Sequence, residues 1–583
     1  MKVGASARSG LAARVDSCIE SAANRLLSDQ EQEGHWEGEL ASSPFATAVA
    51  SIALHLLDGT LHANRVSKAL EWLVYHQNDD GGWGDTDISP SNLPTTIASL
   101  AALKFAGECS RMHQPCLNAC KYVDRFGGLA GVAKYYESDR TFAGPIGILC
   151  GLSGLADWDG VGGLPFEAVL LPSRIVGKID LPFVSFSLPI IISIGLLQHI
   201  KSPSKRLLLK RLRELAVPRA IELLNRLQPS HGGYLESSVC TSLVVIGTVA
   251  AGKGNEVDVG KSTGFLVAGQ RADGSWPIVT NLSIWNTTLA MRALSEAGLD
   301  LSGAALRGAA QWLILQFREN TDVFTGRNAC GWTWTHLDSG MIDADDTSNA
   351  ILALARLGMS PSEKYVRKSV QWLRSLQNPN GGWPTFNRGR GSLVFNKSCI
   401  DITCSVVEAL LVAGLPANSP EIARAISYVR RMQKKDGSWE PLWFGNEFSG
   451  LKSNPFYGAF KALNLLSAMG NSRSSSRKAL AWILGNKNRD GGWGVGANGR
   501  SSPEETAFAL MGLLSQEKMS NGGNQIGTAV TEGIEWLTEH QHPDGLWNRT
   551  PVGIYCESMW YHERTYSVAF PLLALARFKR MQR

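Results

Sequence analysis

Apolar residues recur along most of this chain at the three- and four-residue intervals of amphipathic helices. The stretch SNAILALARLG (Ser348–Gly358) is one such run, and VRKSVQWLRSLQ (Val366–Gln377) is another. Between the runs lie short polar turns built on Asn, Asp and Gly, which suit helix C-termini and tight turns. Each second helix ends on the pattern Gln-x3-Gly-x-Trp. It occurs at Gln30–Trp36, Gln77–Trp83, Gln270–Trp276, Gln377–Trp383, Gln433–Trp439 and Gln541–Trp547. Gln228–Tyr234 carries Tyr in place of Trp, and Lys487–Trp493 carries Lys in place of Gln; Gly331–Trp332 keeps only the end of the pattern.

From Trp276 to Trp547 the tryptophans that end successive copies (Trp276, Trp332, Trp383, Trp439, Trp493 and Trp547) fall 51–56 residues apart. A period near 50 marks stacked helix-pair units. The pattern predicts an all-α protein of two α/α-barrel domains. Residues 276–583 form a barrel of six helix pairs, residues 36–275 a first α-barrel, and residues 1–35 an N-terminal helix packing with the C-terminal barrel. The repeated tryptophans read as packing anchors rather than as chemistry.

The segment Leu164–Ile200 departs from the repeat, and its part Leu181–Leu197 is free of charge. At 17 residues, interrupted by Pro182 and Pro189, it is marginal for a spanning helix. It reads either as a buried core helix or as an apolar plateau that dips into one leaflet, and the domain reading takes it as membrane-facing. On the plateau reading, Asp at Ile191 and Ile194 raises solubility.

The 583 residues are 44% hydrophobic and 19% charged, with a formal net charge of +5, a globular balance with scattered bases and no nucleic-acid face. Ten thinly spread cysteines, including Cys116 and Cys120, read as reduced thiols without zinc spacing. The N-terminus has no signal-type apolar core, and no export is expected.

The chemistry-bearing stretch is GWTWTHLDSGMIDADDTSNA (Gly331–Ala350), which places Asp343, Asp345 and Asp346 just after two tryptophans. Crowded carboxylates cannot all ionise, so one stays protonated. A dry pocket strengthens such an acid's field, and aromatic faces stabilise the cation it makes from an alkene. Capping of the following helix is the plainer reading of the acids.

Protein prenyltransferase β subunits use similar barrels, but their Asp–Cys–His zinc site is missing: Asp401 and Cys404 have no His partner. No thioester run of complement type is present either. Taken together, DADDTS (Asp343–Ser348), LPFEAVLLPS (Leu164–Ser173), SIWNTTLAMRAL (Ser283–Leu294), YSVAFPLLALARF (Tyr566–Phe578) and the Gln–Trp repeats resemble the squalene–hopene cyclase family of class II terpene cyclases over nearly the whole chain. The resemblance implies protonation-initiated cyclisation of a linear polyprene, squalene foremost, to a triterpene of hopene or hopanol type. It implies Asp345 as proton donor, polarised by Asp343 and Asp346. Trp285, Trp334, Phe386, Trp443, Tyr457 and Tyr566 are implied to line the cavity. No metal is expected, because no motif has metal-ligand spacing, and no cofactor; the uncharged segment and an oily substrate lead to an expected attachment to the cytoplasmic side of a membrane as a monotopic protein, and a homodimer is left open.

Two departures stand out. Where bacterial members have Asp-x-Thr-Ala-His, this chain has DITCS, so Asp401 is kept but Ser405 replaces the histidine that supports the acid. Near the C-terminus, Met559 and Glu563 occupy positions that are aromatic in the family, with Trp560 and Tyr561 as compensating rings. Glu563 is read as facing solvent, with a terminating base as the alternative. Other open readings are a class II cyclase of a sesqui-, di- or meroterpenoid and a non-catalytic helical-barrel binding module. The run Asp345–Asn349 is a poor match to the magnesium motif of a diphosphate-ionising enzyme.

Overall fold

The computed structural model describes residues 2–136, 140–171, 187–321, 327–389, 396–470, 473–494, 499–515, 525–555 and 558–582. Helices dominate. The only strands among the described residues are two short antiparallel hairpins, β1 (Arg318–Thr321) with β2 (Asn328–Gly331) and β3 (Gly553–Tyr555) with β4 (Met559–Tyr561).

The N-terminal helix α1 (Lys2–Ser28) precedes a first domain of α2 (Pro44–Asp58), α3 (Ala63–Tyr75), α4 (Leu93–Phe105), α5 (His113–Arg125), α6 (Gly128–Tyr135), α7 (Arg140–Ser153), α8 (Leu188–Lys201), α9 (Leu207–Leu227), α10 (Ser238–Ala250) and α11 (Val259–Gly269). Helices α2, α4, α7, α8 and α10 touch in that order, and α10 returns to α2, which closes an inner ring. These inner helices are apolar around most of their circumference, as helices covered on all sides must be.

The second domain alternates inner and outer helices. The inner ones are α12 (Ser283–Glu296), α14 (Ala344–Arg356), α16 (Ile400–Val412), α18 (Pro455–Ala468), α20 (Pro503–Leu514) and α22 (Tyr566–Gln582). Each contacts the next and α22 contacts α12, so six inner helices close a ring. The outer ones are α13 (Ala304–Leu315), α15 (Lys364–Leu376), α17 (Pro420–Arg431), α19 (Arg473–Gly485) and α21 (Gln525–Glu539). The sixth outer position, against α22 and α21, is filled by α1 from the start of the chain.

The repeat motif explains this regularity. In each complete copy the indole Nε1–H donates to the carbonyl ten residues earlier: Trp36 to Leu26, Trp83 to Leu73, Trp276 to Leu266, Trp383 to Leu373, Trp439 to Val429 and Trp547 to Leu537. These carbonyls lie in the last turns of the preceding outer helices, where helical partners run out. The motif's Gln side chain donates to the Gly carbonyl of its own turn and to a carbonyl of a neighbouring outer helix. Gln377 thus reaches Gly381 and Glu421, and Gln541 reaches Gly545 and Cys18. That last bond fixes α1 into the second barrel.

At most corners a threonine one turn into an inner helix completes the arrangement. Its Oγ1 accepts the backbone N–H of the corner Trp, as Thr347 does for Trp332 and Thr403 for Trp383. The corner tryptophans are fully buried. The turn glycine of each corner has positive φ, and at Gly381 a Cβ would lie 2.5 Å from the Arg424 carbonyl oxygen.

Two expectations change. Cys109 and Cys116 form a disulfide, because the turn before α5 brings their Cα atoms to 5.8 Å. The plateau segment also reads differently. Its residues Leu181–Phe186 lie outside the described residues, but Ile191 and Ile194 on α8 are buried against α10. Here the core-helix reading wins, since both faces of α8 are covered.

Two measurements check these packings. Gln377→Ala strips two buried carbonyls of their donor and costs about 2 kcal/mol in thermal or denaturant unfolding. Ile194→Asp places a charge in the first domain's core. It lowers soluble yield and stability by about 3 kcal/mol or more, where a plateau residue would give improved solubility.

Candidate active site

The three aspartates occupy the first turn of α14. Asp343 is its N-cap, and its carboxylate accepts the Asp346 N–H at 2.8 Å. The corner holds this turn in place: Asp343 N–H donates to the Trp332 carbonyl and Ala344 N–H to that of Thr385. Asp343 and Asp346 are buried, while Asp345 keeps partial exposure into a cavity.

That cavity holds about 870 Å³, counting its mouth. The three aspartates lie in its wall, and the rest is mainly aromatic and aliphatic. Trp285, Trp334, Phe386, Trp443 and Tyr566 line it, as do Phe444, Tyr555 and Tyr561. Trp334 and Phe386 meet edge to face with centroids 6.4 Å apart. The indole N–H of Trp443 is held by Thr385 Oγ1 at 3.1 Å. Leu40 and the connection through Ile278, Val279 and Leu282 complete the wall between the domains.

Tyr457 is placed differently from the expectation. Its ring lies 4.1 Å from that of Phe444, which stands between it and the main cavity. Tyr457 borders a small separate recess with Arg292, Asn349 and Lys461. Phe444 also packs against Phe508 and Phe570, with centroids 6.1 and 5.9 Å apart.

Burial raises all three carboxyls of the cluster. The Asp345 pKa is pushed up to about 7, chiefly by desolvation, with the charges of Asp346 and Asp401 adding to the rise and that of Lys461 opposing it. Asp343 and Asp346 share a hydrogen-bonded contact, and burial raises both; Asp343 raises Asp346 further, whereas the hydrogen bonds from Asp346 hold Asp343 down and the Asp345 charge adds to its rise. Asp345 Oδ1 accepts from Asn349 Nδ2 at 2.9 Å, and Asn349 Oδ1 in turn accepts from Arg292 at 2.9 Å. Asp401 lies in the first turn of α16, accepts the backbone N–H groups of Leu442 and Trp443, and is raised by burial.

Ser405 does not reach a carboxyl. Its hydroxyl donates to the Asp401 backbone carbonyl at 3.1 Å and accepts from Lys461 Nζ. The expected neutral substitute for a histidine is therefore the anchor of a buried cation. Lys461 stands on α18, 3% exposed, and its charge acts on both Asp345 and Asp401. The signal for it was present: Lys461 is the only charged residue in PFYGAFKALNLLSA. Phe444, Tyr555, Asn349 and Arg292 carry no comparable sequence signal.

Glu563 does not face solvent. It is 2% exposed, and Oε1 accepts the Glu39 and Thr565 N–H groups and the Thr565 hydroxyl. Burial pushes its pKa up to about 7. The reason is the C-terminal strip, which pairs with the first domain through Leu40 and through the Trp560 N–H donated to Asp85. Strand alternation points Met559 and Tyr561 to one side and Trp560 to the other.

A closed α/α barrel with buried aspartates in the wall of an aromatic cavity is the arrangement of a class II terpene cyclase. The match to known sequences is specific. Residues 19–233 match the squalene–hopene cyclase N-terminal domain and residues 282–580 its C-terminal domain. The chain belongs to the squalene–hopene cyclase family. It is 27% identical over 640 residues to squalene–hopene cyclase of Alicyclobacillus acidocaldarius, covering 96% of this chain and 97% of that one. It is 30% identical to drimenyl diphosphate synthase of Streptomyces showdoensis over 53% of this chain and 54% of that one. In fold it is similar to ent-copalyl diphosphate synthase from Streptomyces platensis, with a TM-score of 0.56, 19% identity and coverage of 97% and 99%.

The raised carboxyls couple stability to pH. Asp345 stays protonated in the folded protein up to about pH 7, but ionises near pH 4 when unfolded. Its contribution to stability is therefore full below about pH 4 and is lost as pH rises through about 7. Asp345→Asn flattens the fall of Tm across that window. Lys461→Met removes the opposing cation, raises the Asp345 pKa and extends the fall to higher pH; an unchanged Tm profile in both variants contradicts this electrostatic account.

Proposed function

We propose that this cyclase protonates and cyclises an uncharged linear polyprene, squalene foremost, giving a polycyclic triterpene of hopene or hopanol type. The observation that carries the reading is Asp345, raised to about 7 and exposed only into a cavity whose described lining contains no Lys, Arg or His. Such a wall suits a hydrocarbon and gives no counter-charge to a diphosphate head group.

An alkene is a weak base, so its protonation needs an acid that still holds its proton at working pH and whose conjugate base is stabilised as it forms. Asp345 donates the proton. The Lys461 field and the Asn349 hydrogen bond then favour the aspartate that remains, and placing these groups in advance avoids reorganisation during the step. Trp285, Trp334, Phe386, Trp443 and Tyr566 present ring faces to the cation and keep water away. Ser405 and Asp401 position Lys461 and the acid's surroundings.

A second reading, a shorter isoprenoid of sesqui-, di- or meroterpenoid type, draws support from Phe444 and its aromatic neighbours, which shorten the cavity. Incubation of detergent-solubilised protein with squalene and shorter polyprenes, followed by mass spectrometry, decides between them. Asp345→Asn abolishes product in either case while circular dichroism stays unchanged. Ser405→Ala, which loosens Lys461 without removing it, lowers turnover about tenfold or less. Turnover by Asp345→Asn at the wild-type rate would remove the proposed acid.

We also propose attachment to one face of a membrane, with the cytoplasmic side as the expected one; the insolubility of such a substrate supports the attachment. No helix among the described residues is long and apolar enough to cross one. The supporting surface is α9 rather than α8. Leu208 and Leu215 on α9 are 85% and 70% exposed, with Leu207 and Leu212 beside them and Lys205, Arg206, Lys210 and Arg211 interleaved. Exposed leucines among bases suit a lipid interface with anionic headgroups. Leu208→Glu with Leu215→Glu cuts sedimentation with anionic liposomes about tenfold or more. Wild-type protein that ignores such liposomes refutes this surface.

A further inference from the structure

Outside the acid site, one cluster of side chains stands without a role. His35 lies within the first Gln–Trp corner and Glu37 directly follows it, and His336 lies in the loop between Trp334 and Asp343. One ligand atom from each of the three lies within 4.8 Å of the others. We propose that His35, Glu37 and His336 form a divalent metal site, of a kind that takes zinc or a similar borderline cation. No sequence motif announces it, because the ligands stand about 300 residues apart.

The arrangement is built rather than incidental. His35 is 4% exposed, yet neither of its ring nitrogens has a hydrogen-bond partner. Leaving a buried imidazole so unsatisfied is unfavourable unless something else binds it. The ring is locked by face-to-face stacking on Trp312, with centroids 4.3 Å apart and planes 1° from parallel. This turns Nε2 toward Glu37 Oε1 at 3.9 Å, too far for a hydrogen bond. His336 Nδ1 is engaged by Ser283 Oγ at 2.9 Å, which orients the ring and leaves Nε2 free. An outer partner on the second nitrogen is what metal-bound histidines use to fix tautomer and direction. Glu37 is steadied by Asn281 Nδ2 at 3.3 Å.

Two imidazoles and a carboxylate are a donor set that zinc accepts, with bonds of about 2.0–2.2 Å and a fourth position left to water. Donors around such an ion sit about 3.4 Å apart, so the cluster closes by roughly an ångström on binding. Glu37 and His336 are only half-buried and can move that far, while His35 stays fixed. The bound ion joins the segment before Leu40 to the loop that carries Trp334 and enters the aspartate helix. It staples two walls of the cavity and takes no part in proton transfer.

The test uses full-length protein stripped with a chelator and dialysed. Added zinc chloride is expected to bind at one ion per chain by calorimetry and elemental analysis, and to raise Tm by about 2–4 °C at a hundredfold excess over Kd. Cobalt(II) is expected to give the visible absorption of a low-coordinate site. Glu37→Ala, a half-exposed change that leaves the core intact, and His336→Gln each remove the stoichiometric ion and the Tm rise. Binding that survives in both variants, or wild-type protein with no saturable ion, overturns the proposal. Product formation by stripped protein is expected to persist, so the metal site stands or falls separately from the polyprene reading.

Discussion

The rest of this structure depends on one small set of hydrogen bonds at each repeat corner. An indole N–H caps the end of an outer helix, and a threonine hydroxyl on the next inner helix receives the tryptophan's backbone N–H. A glutamine then ties that turn to the neighbouring outer helix. Helix ends carry polar groups that burial would leave unpaired, and here a large apolar side chain satisfies one of them from within the core. Each corner thereby sets the angle and spacing of a helix pair, and repetition closes the ring.

The same frame places the chemistry. Thr347 is the corner threonine of its repeat as well as the fifth residue of the acid motif, so the aspartates beside it enter the cavity wall at a fixed height. Asp401 precedes the equivalent threonine, Thr403, by two residues. Burial by the surrounding helices then raises the carboxyls, and Lys461, from the inner helix beyond α16, opposes that rise. The acid's strength is a balance between desolvation with the neighbouring carboxylates on one side and the Lys461 charge with the Asn349 hydrogen bond on the other.

The C-terminal strip shows how packing revises local expectation. Glu563 reads as a surface charge, because charged residues are mostly exposed. In the fold its carboxyl accepts backbone N–H groups from the N-terminal segment, and the strip is covered by the first domain. Ser405 reads as a weakened substitute for a charged partner, whereas the charge sits 56 positions further on and the serine anchors it. Tyr457, correct as a buried aromatic, is screened from the main cavity by Phe444.

By itself the sequence determined the helix-pair repeat, the all-α class and the family, because these rest on periodicity and on local motifs that recur with fixed spacing. It also marked the aspartate turn and most of the aromatic wall, since those residues stand in the acid motif and in the strips that resemble the family. What it left undecided were contacts between residues far apart in the chain: Lys461 on Ser405, Phe444 over Tyr457, and His35 with His336. Helical periodicity reports which residues face inward, but not what they meet there. That is settled by the ring closing, when six inner helices bring their first turns to one end and exclude water from between them.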